Sequence, residues 1–228
     1  AKECARVYAK NGYDLYLAGR DIKSLEGLAK DIKIRSNVNV VLKEFDVVDF
    51  NSHQAFYDSL DVKPLGTIVV SGYMAEQKDA QNDWEKSLNT INVNYTGVVS
   101  ILNIIANDYE KNKNGFIVGI SSVAGDRGRK ANYIYGSSKA AFSTYLSGLR
   151  NRLYESGVKV LTVKPGFVNT KMTVNLDLPE KLTAQPEDVA NDIFNAQKKG
   201  KDILYTKSIW RLVMLIIKHI PEFMFKKM

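Results

Sequence analysis

Short apolar runs alternate with longer amphipathic stretches along most of the chain, which is the pattern of strands that alternate with helices. The apolar runs predict strands in YDLYLAGR, NVVLKEFDV, LGTIVVSG, GFIVGISS, VKVLTVKPG and DILYT, of which LGTIVVSG is expected to be buried on both faces. Apolar residues at helical spacing predict helices over residues 21–34, 50–60, 83–110, 133–156 and 186–199. Because such alternation indicates parallel βαβ units, we expect an α/β fold in which helices cover both faces of a doubly wound parallel sheet.

The first residues, AKECARVYAKNG, have the pattern of the middle of a helix. Cys4 and Tyr8 lie on one face and Gly12 ends the helix, but neither an initiator methionine nor an N-cap residue precedes Ala1. We therefore expect the protein to continue before Ala1.

The C-terminal residues 208–228, SIWRLVMLIIKHIPEFMFKKM, form an apolar helical tail after a sheet domain over residues 1–207. Only Arg211 is charged between Trp210 and Ile217, and this run is too short to span a bilayer, which takes about 20 residues. Aromatic residues and flanking lysine and arginine predict a helix that lies on a membrane surface. The alternative is a helix that packs in the core or in a dimer interface.

Composition and charge narrow the class of protein. The 228 residues suffice for one large domain, and the single cysteine, Cys4, fits a reducing compartment. The net charge is +7, and the basic residues near the C-terminus could meet nucleic acid, a phosphate-bearing ligand or an anionic membrane. Nucleic acid is disfavoured because these residues are mixed with an apolar helix. We expect a cytoplasmic protein, on the inner face of the membrane if the tail binds there, with no metal site.

Polar or small residues follow the predicted strands. In doubly wound sheets, ligands bind beyond the carboxyl ends of the strands, so these positions are candidates for a binding site. They are Arg20, Asp46, Ser71–Gly72, Ser121–Ser122 and Pro165–Gly166.

Tyr135 and Lys139 lie one helical turn apart in NYIYGSSKAAFSTYL, so the ammonium can lie close to the phenol, lower its pKa and let it act as a general acid or base. Ser122 could hydrogen-bond the same substrate oxygen, and Asn94, in the long helix, could join the proton path. Each of these features alone has an ordinary structural explanation. Tyr135 and Lys139 could be a pair on a solvated helix face, Ser122 could satisfy backbone groups at a strand end, and Asn94 could cap or kink a helix. Their combination in this order predicts a catalytic site.

At these residues the chain resembles the short-chain dehydrogenase/reductase family, through INVNYTG, GFIVGISSVAG, YIYGSSKAAF and VKVLTVKPGFVNTKM, over nearly its whole length. The resemblance implies a Rossmann-type fold, an NAD(P)-dependent oxidoreductase and a catalytic tetrad. In that tetrad Tyr135 is the acid/base, Lys139 lowers its pKa and binds the nicotinamide ribose, Ser122 positions the carbonyl, and Asn94 supports a water in the proton relay.

The resemblance also implies cofactor contacts. Asp46 and Val47 match the pair that binds adenine, and the loop PGFVNT matches the one that holds the carboxamide, through Pro165, Gly166, Val168 and Thr170. Beside the adenine ribose, the family's usual Asn-Asn-Ala-Gly is replaced by VVSGYMAEQ, in which Ser71 and Gly72 leave backbone space. The family's first strand and Gly-rich phosphate loop are expected to precede Ala1.

Arg20, in YLAGRD, decides the cofactor preference. Its guanidinium can pair with a 2′-phosphate, which favours NADP (NADPH) over NAD. The alternative makes Arg20 a solvated charge at the strand end, with Asp21 as a helix N-cap.

The substrate is inferred from SSVAGDRGRKANYIYGSSKAAF and WRLVMLIIKHIP, which resemble the bacterial branch that includes the decaprenylphosphoryl keto-pentose reductase. This implies a keto group on a lipid-linked sugar or another lipid, whose phosphate Arg127, Arg129 and Lys130 could meet, unless they form a solvated loop. The alternatives are a soluble reductase of 3-oxoacyl or small ketone substrates and a protein that binds the cofactor without turnover. By the same resemblance we expect a homodimer or homotetramer that pairs through the two long helices.

Overall fold

The computed structural model describes residues 1–170, 173 and 177–228. The strands are β1 (Leu15–Gly19), β2 (Val40–Glu44), β3 (Gly66–Val69), β4 (Phe116–Ile120), β5 (Lys159–Pro165), β6 (Phe167–Val168), β7 (Thr183–Ala184) and β8 (Ile203–Thr206). The helices are α1 (Lys2–Lys10), α2 (Lys23–Ser36), α3 (His53–Asp58), α4 (Gln77–Ala80), α5 (Trp84–Ile91), α6 (Gly97–Asn112), α7 (Tyr133–Leu153), α8 (Pro186–Lys198), α9 (Ile209–His219) and α10 (Glu222–Phe225).

The strands pair in parallel throughout. β1 pairs with β2, and a second group has the order β3-β4-β5-β8, while β6 and β7 form a short pair of their own. Helices connect β1 to β2, β2 to β3, β3 to β4, β4 to β5 and β7 to β8, as parallel pairing requires. The predicted α/β fold with a parallel sheet is confirmed.

The core lies on both faces of the sheet because successive side chains of a strand point to opposite sides. In β4, Phe116 and Val118 pack with residues of α1 and α8, whereas Ile117 packs with residues of α6 and α7. In β5, Leu161 faces the first of these layers and Val160 the second. Helices therefore cover both faces, as the doubly wound pattern predicts.

A cleft of about 960 Å³ lies along β1 and β3 and is lined by both strands. Among the described residues, β1 hydrogen-bonds only to β2 and β3 only to β4, so each presents an edge to the cleft. A five-residue strand between two layers of helices fills a block about 16 Å long, 4.8 Å wide and 10 Å thick, which is about 800 Å³. The cleft is therefore large enough to hold one strand, and β3 is only partly buried, contrary to the prediction, because it lines this cleft.

The long helix predicted over residues 83–110 is present as α5 and α6, joined without a break by a π-helical turn, Asn92–Thr96. Directly after this turn, a Cβ on Gly97 would lie 1.9 Å from the carbonyl oxygen of Val47. The helix thus passes very close to the loop that follows β2. That loop carries Asp46, so the two are held together at the carboxyl edge of the sheet.

The tail folds back onto the rest of the chain. Trp210 and Met214, on one side of α9, are buried with Val123, and Phe167 packs against this cluster. Pro221 separates α9 from α10. In the part of the chain that the structure describes, no helix has both the length and the apolar character needed to cross a bilayer.

Candidate active site

The carboxyl edge of the sheet collects the residues that the sequence singles out. Arg20, Asp46, Ser71 and Ser122 each follow a strand by one or two residues, and Gly166 follows β5 directly. Parallel strands place these ends along one side of the sheet, where a doubly wound fold binds ligands. Helix α7 begins beside this edge and packs against the single 3₁₀ turn, Val123–Gly125, that comes after β4.

Ser122 and Tyr135 meet at this edge. Ser122 has an extended backbone at the end of the β4 segment, and its hydroxyl accepts a hydrogen bond from the backbone N–H of Ala124 at 3.1 Å. The same hydroxyl lies near the hydroxyl of Tyr135, in the first turn of α7, and lowers the pKa of that phenol. The structure therefore brings two hydroxyl groups together beside the carboxyl edge, where both could reach one carbonyl oxygen.

The pKa of Tyr135 moves in the direction opposite to the one expected from the sequence. Burial raises the pKa of the phenol and is the largest influence, while the nearby hydroxyl of Ser122 opposes it. The ammonium of Lys139 lies 5.9 Å from the centre of the Tyr135 ring. The protein by itself thus holds Tyr135 protonated at neutral pH, ready to donate a proton.

Lys139 is buried, with only 3% of its surface exposed. Its ammonium donates to the carbonyl oxygens of Ile120 at 3.0 Å and Ser71 at 3.4 Å, and no carboxylate among the described residues pairs with it. Burial therefore lowers the pKa of Lys139 to about 8. Ser121, one of the strand-end candidates for a binding site, donates to the carbonyl oxygen of Lys139 at 2.9 Å and so ties β4 to α7.

Asn94 lies in the π-helical turn and is fully buried. Its side-chain oxygen accepts from the backbone N–H of Tyr73 at 2.9 Å, and its amide nitrogen donates to the carbonyl oxygen of Tyr73 at 2.7 Å and to the Ser138 hydroxyl at 3.2 Å. The side chain therefore clamps the loop after β3 to α7. Sequence reasoning missed Tyr73 and Ser138, because nothing in their local pattern shows that they share a partner.

The loop after β2 is organised around Asp46. Its carboxylate accepts from the backbone N–H of Val48 at 3.1 Å, and its carbonyl oxygen lies 3.3 Å from Nε2 of the buried His53. Val47, in the same loop, has a buried side chain. These contacts fix the backbone where the resemblance implies an adenine site.

Arg20 is exposed just after β1, and it forms no ion pair with any described residue. Asp21 is engaged instead, because its carboxylate accepts from the backbone N–H of Ser24 at 3.2 Å at the start of α2. The predicted capping role of Asp21 therefore coexists with a guanidinium that can meet an anion.

The PGFVNT loop follows β5. Pro165 is buried and ends the strand, and the carbonyl oxygen of Val168 accepts from the Thr173 hydroxyl at 2.6 Å. Thr170 is exposed and its backbone N–H donates to the Thr173 hydroxyl at 3.1 Å. At Gly166 a Cβ would lie 2.0 Å from the Trp210 indole, so only glycine admits the tail this closely.

The basic residues after Ser122 hold the tail. Arg127 donates to the carbonyl oxygen of Lys218 at 3.1 Å, pairs with Glu222 at 2.6 Å and lies 4.2 Å from the centre of the Phe225 ring. Arg129 contacts the sulfur of Met214 at 3.4 Å. The hypothesis of a solvated loop is therefore wrong for both arginines, and their guanidinium groups face the tail.

Asp126 was missed by sequence reasoning and anchors the loop that carries Ser122. Its buried carboxylate pairs with Lys164 of β5 at 2.5 Å and accepts from the Tyr205 hydroxyl of β8 at 2.7 Å. Because breaking a buried pair leaves an uncompensated charge, this contact holds the loop firmly to the sheet.

Comparison with known proteins agrees with this geometry. A family model described as short chain dehydrogenase matches residues 1–181. An uncharacterised oxidoreductase of Mycobacterium tuberculosis is 32% identical over 229 residues, which cover 99% of this chain and 91% of that protein. A short-chain dehydrogenase from Sphingobium yanoikuyae in complex with NADPH is similar in fold, with a TM-score of 0.83 at 22% identity, and the match covers 96% of this chain and 91% of that one. A bulky-bulky ketone specific alcohol dehydrogenase from Comamonas testosteroni is also similar in fold, with a TM-score of 0.80 at 18% identity. This match covers 96% of this chain and 90% of that one.

Proposed function

The chain belongs to the short-chain dehydrogenase/reductase family and is an NAD(P)-dependent oxidoreductase, and from this premise we propose that it uses NADPH to reduce a carbonyl group on a lipid-linked substrate such as a keto sugar. The observation that carries the proposal is the grouping of the protonated Tyr135, the nearby Ser122 hydroxyl and the buried ammonium of Lys139, 5.9 Å from the Tyr135 ring.

The residues present fit a nicotinamide cofactor. Two of the three N–H groups of the Lys139 ammonium are used by backbone carbonyl oxygens, and the third, which has no partner among the described residues, can donate to a ribose hydroxyl. An unpaired buried charge is costly, so a polar ligand at this position would relieve it. The loops that carry Asp46 and Val168 lie along the same edge of the sheet.

The proton chemistry follows from the side chains. Ser122 hydrogen-bonds the carbonyl oxygen of the substrate, and Tyr135 donates its proton to that oxygen as the negative charge develops there. The ammonium of Lys139 then stabilises the phenolate that is left behind, because opposite charges attract strongly where water is excluded. The bound cofactor supplies the hydride.

The preference for NADPH is supported by Arg20. Its exposed guanidinium has no carboxylate partner among the described residues, and Asp21, which could otherwise bind a ribose hydroxyl, is engaged at the start of α2. Arginine binds phosphate with two parallel hydrogen bonds, which suits a 2′-phosphate. The short-chain dehydrogenase from Sphingobium yanoikuyae, which is similar in fold, is in complex with NADPH.

A lipid-linked substrate is supported by the position of the tail. Val123, directly after Ser122, and Phe167, directly after Gly166, both pack against Trp210 on α9. The loops beside the two hydroxyl groups therefore rest on a helix whose opposite side exposes Leu212, Leu215 and Ile216. An apolar substrate chain would find apolar surface on the far side of that helix, one helix diameter from the reacting carbonyl.

The test measures oxidation of NADPH and of NADH by the full-length protein, with a membrane-lipid extract or a water-soluble metabolite extract as the source of substrate. We expect turnover with NADPH and the lipid extract. Loss of the proton donor in Tyr135→Phe should lower turnover by roughly 100-fold or more. Tyr133→Phe is the matched control, because Tyr133 lies two residues before Tyr135 on the same helix. Its hydroxyl donates a hydrogen bond to the Gln81 side chain instead.

The outcomes separate the alternatives. Tyr135-dependent turnover with the metabolite extract alone would overturn the lipid-linked substrate and support a reductase of small ketones. Equal turnover by the two phenylalanine variants would contradict the assignment of Tyr135. Faster oxidation of NADH than of NADPH would contradict the role of Arg20.

A further inference from the structure

The outer face of the tail is apolar although it lies on the surface. Five side chains, called the outer face here, are each more than half exposed: Leu212, Leu215, Ile216, Phe223 and Met224. The opposite side of α9 is buried through Trp210 and Met214. Helix α9 is therefore apolar on both sides, and only one side is covered by the protein.

The charges around this outer face are almost all positive. Arg211, Lys218, Lys226 and Lys227 are exposed and pair with no side-chain carboxylate among the described residues. Glu222 is the only acidic residue between 208 and 228, and its charge is neutralised by Arg127. An apolar helix bordered by free cations has the chemistry of a helix that binds an anionic lipid surface.

We propose that the outer face docks on an anionic bilayer surface, with α9 lying in the plane of the interface. A helix of 11 residues is about 16 Å long, which suits a position along the membrane rather than across it. A second copy of the chain is a poorer occupant, because a symmetric contact would bring the cations of both tails together.

Arg127 gives the docked tail a fixed geometry. Its guanidinium binds the carbonyl oxygen at the end of α9, the carboxylate of Glu222 and the ring of Phe225. Three contacts from one partly buried side chain hold α10 against the end of α9. The basic residues that follow α10 are thereby kept near the apolar face.

Docking would bring the active site to the lipid. Val123 and Phe167 touch the inner side of α9, so one helix diameter, about 10–12 Å, separates these loops from the bilayer surface. This step rests on the proposed function, in which the substrate is lipid-linked: a carbonyl group carried on a lipid would then reach Ser122 and Tyr135 while its chain stays in the membrane.

The test is co-sedimentation of the full-length protein with vesicles of phosphatidylcholine alone and of phosphatidylcholine mixed with phosphatidylglycerol, at low and high salt. We expect binding to the mixed vesicles that weakens as salt rises. The double variant Leu215→Glu/Ile216→Glu should bind at least about tenfold more weakly, because it replaces two apolar contacts with charge. Lys218→Glu/Lys226→Glu should weaken binding to the mixed vesicles only.

Matched controls come from α2, on another part of the surface. Ile34 is 84% exposed and Lys33 is exposed beside it, so Ile34→Glu and Lys33→Glu each make one change of the same kind away from the tail. Both controls should bind vesicles as the unchanged protein does, and circular dichroism should show that all variants fold. Equal loss in the tail variants and the α2 controls would overturn the proposal.

Two further results bear on the occupant. If Leu215→Glu/Ile216→Glu changes an oligomer into a monomer and leaves vesicle binding intact, the outer face binds a second copy and the proposal is wrong. Tyr135→Phe should bind vesicles normally, since docking does not need turnover. Vesicle binding without carbonyl reduction would therefore contradict the proposed function alone, and reduction without vesicle binding would contradict the docking alone.

Discussion

Lys139 carries its charge in a place that excludes water. The side chain is 3% exposed, and its hydrogen-bond acceptors are neutral carbonyl oxygens rather than a carboxylate. Burial disfavours the charged form and brings the pKa of Lys139 from 10.5 down to about 8. The folded protein still holds the ammonium at neutral pH, and it does so at the expense of stability.

Lys139→Met is expected to make the protein more stable and inactive. Between pH 8 and 10.5 the unfolded chain keeps the proton of Lys139 and the folded chain loses it, so this residue makes the free energy of unfolding rise with pH in that interval. Below pH 8 the variant should be more stable by about 3 kcal/mol, and the difference should vanish near pH 10.5. Urea unfolding at a series of pH values measures it.

The exposed Lys33 provides the control, since Lys33→Met removes a charge that water already solvates. Its unfolding free energy should follow that of the unchanged protein across the same pH interval. If the free energy of unfolding changed with pH in the same way for Lys139→Met and the unchanged protein, the buried ammonium would not destabilise the fold.

The sequence predicts which residues meet at the active site but not their electrostatics. Asn94, Ser122, Tyr135 and Lys139 can be chosen because strand ends and helical spacing place them. The pKa of Tyr135 depends on how much water surrounds it, which no local pattern encodes. Asp126 finds Lys164 and Tyr205 at separations of 38 and 79 residues, so its role appears only in the folded chain.

At the scale of elements, the small residues around Tyr135 let a loop rest on a helix. A Cβ on Gly125 would lie 2.7 Å from the backbone nitrogen of Ala140, and a Cβ on Gly136 would lie 2.8 Å from the carbonyl oxygen of Ala124. The loop after Ser122 therefore rests directly on the backbone of α7.

Gly125→Ala is expected to separate this loop from α7. The neighbouring atoms are helix backbone and cannot move aside, so the free energy of unfolding should fall by about 1–3 kcal/mol. The turnover rate should fall as well, because Ser122 would leave the hydroxyl of Tyr135. Urea unfolding and steady-state kinetics measure the two effects.

Gly148 lies on the exposed side of the same helix with no atom within 4 Å of an added Cβ. Gly148→Ala should therefore stabilise the protein by about 0.5–1 kcal/mol through helix propensity and leave kinetics unchanged. A Gly125→Ala protein with normal stability and turnover would show that the loop does not need this close approach.

Long elements can be predicted from the chain and short ones cannot. Strands β1 to β5 and helix α7 have enough residues for a period of two or 3.6 to be visible. The π-helical turn at Asn92–Thr96 and the pair formed by β6 and β7 lack such a period. They form because of contacts with distant parts of the chain, such as that between Asn94 and Tyr73.

At the scale of the whole molecule, the sheet is divided by the cleft between β1 and β3. Each strand leaves backbone N–H and C=O groups without a partner strand on the side of the cleft, and such groups destabilise a core when they are not hydrogen-bonded. Tyr8 of α1 and Phe116 of β4 also line this space. The resemblance noted in the sequence implies a first strand before Ala1, and the cleft has the size and the edges to take it.

We expect a strand ahead of Ala1 to insert between β1 and β3 in parallel with both. Alternate amides of β1 and β3, such as those of Tyr16, Ala18 and Ile68, point away from β2 and β4 and into the cleft. Their hydrogen exchange should be slow in the full-length protein and fast in the segment 1–228 alone, because only an inserted strand can bond them. The urea m-value should rise in the longer protein, since more surface is buried.

Strand β5 is the internal control. It lies between β4 and β8, so its amides should be protected in both proteins. Equal exchange at the cleft in the two proteins would mean that the preceding residues fold elsewhere, and the phosphate-binding part of the cofactor site would then have to come from another part of the protein.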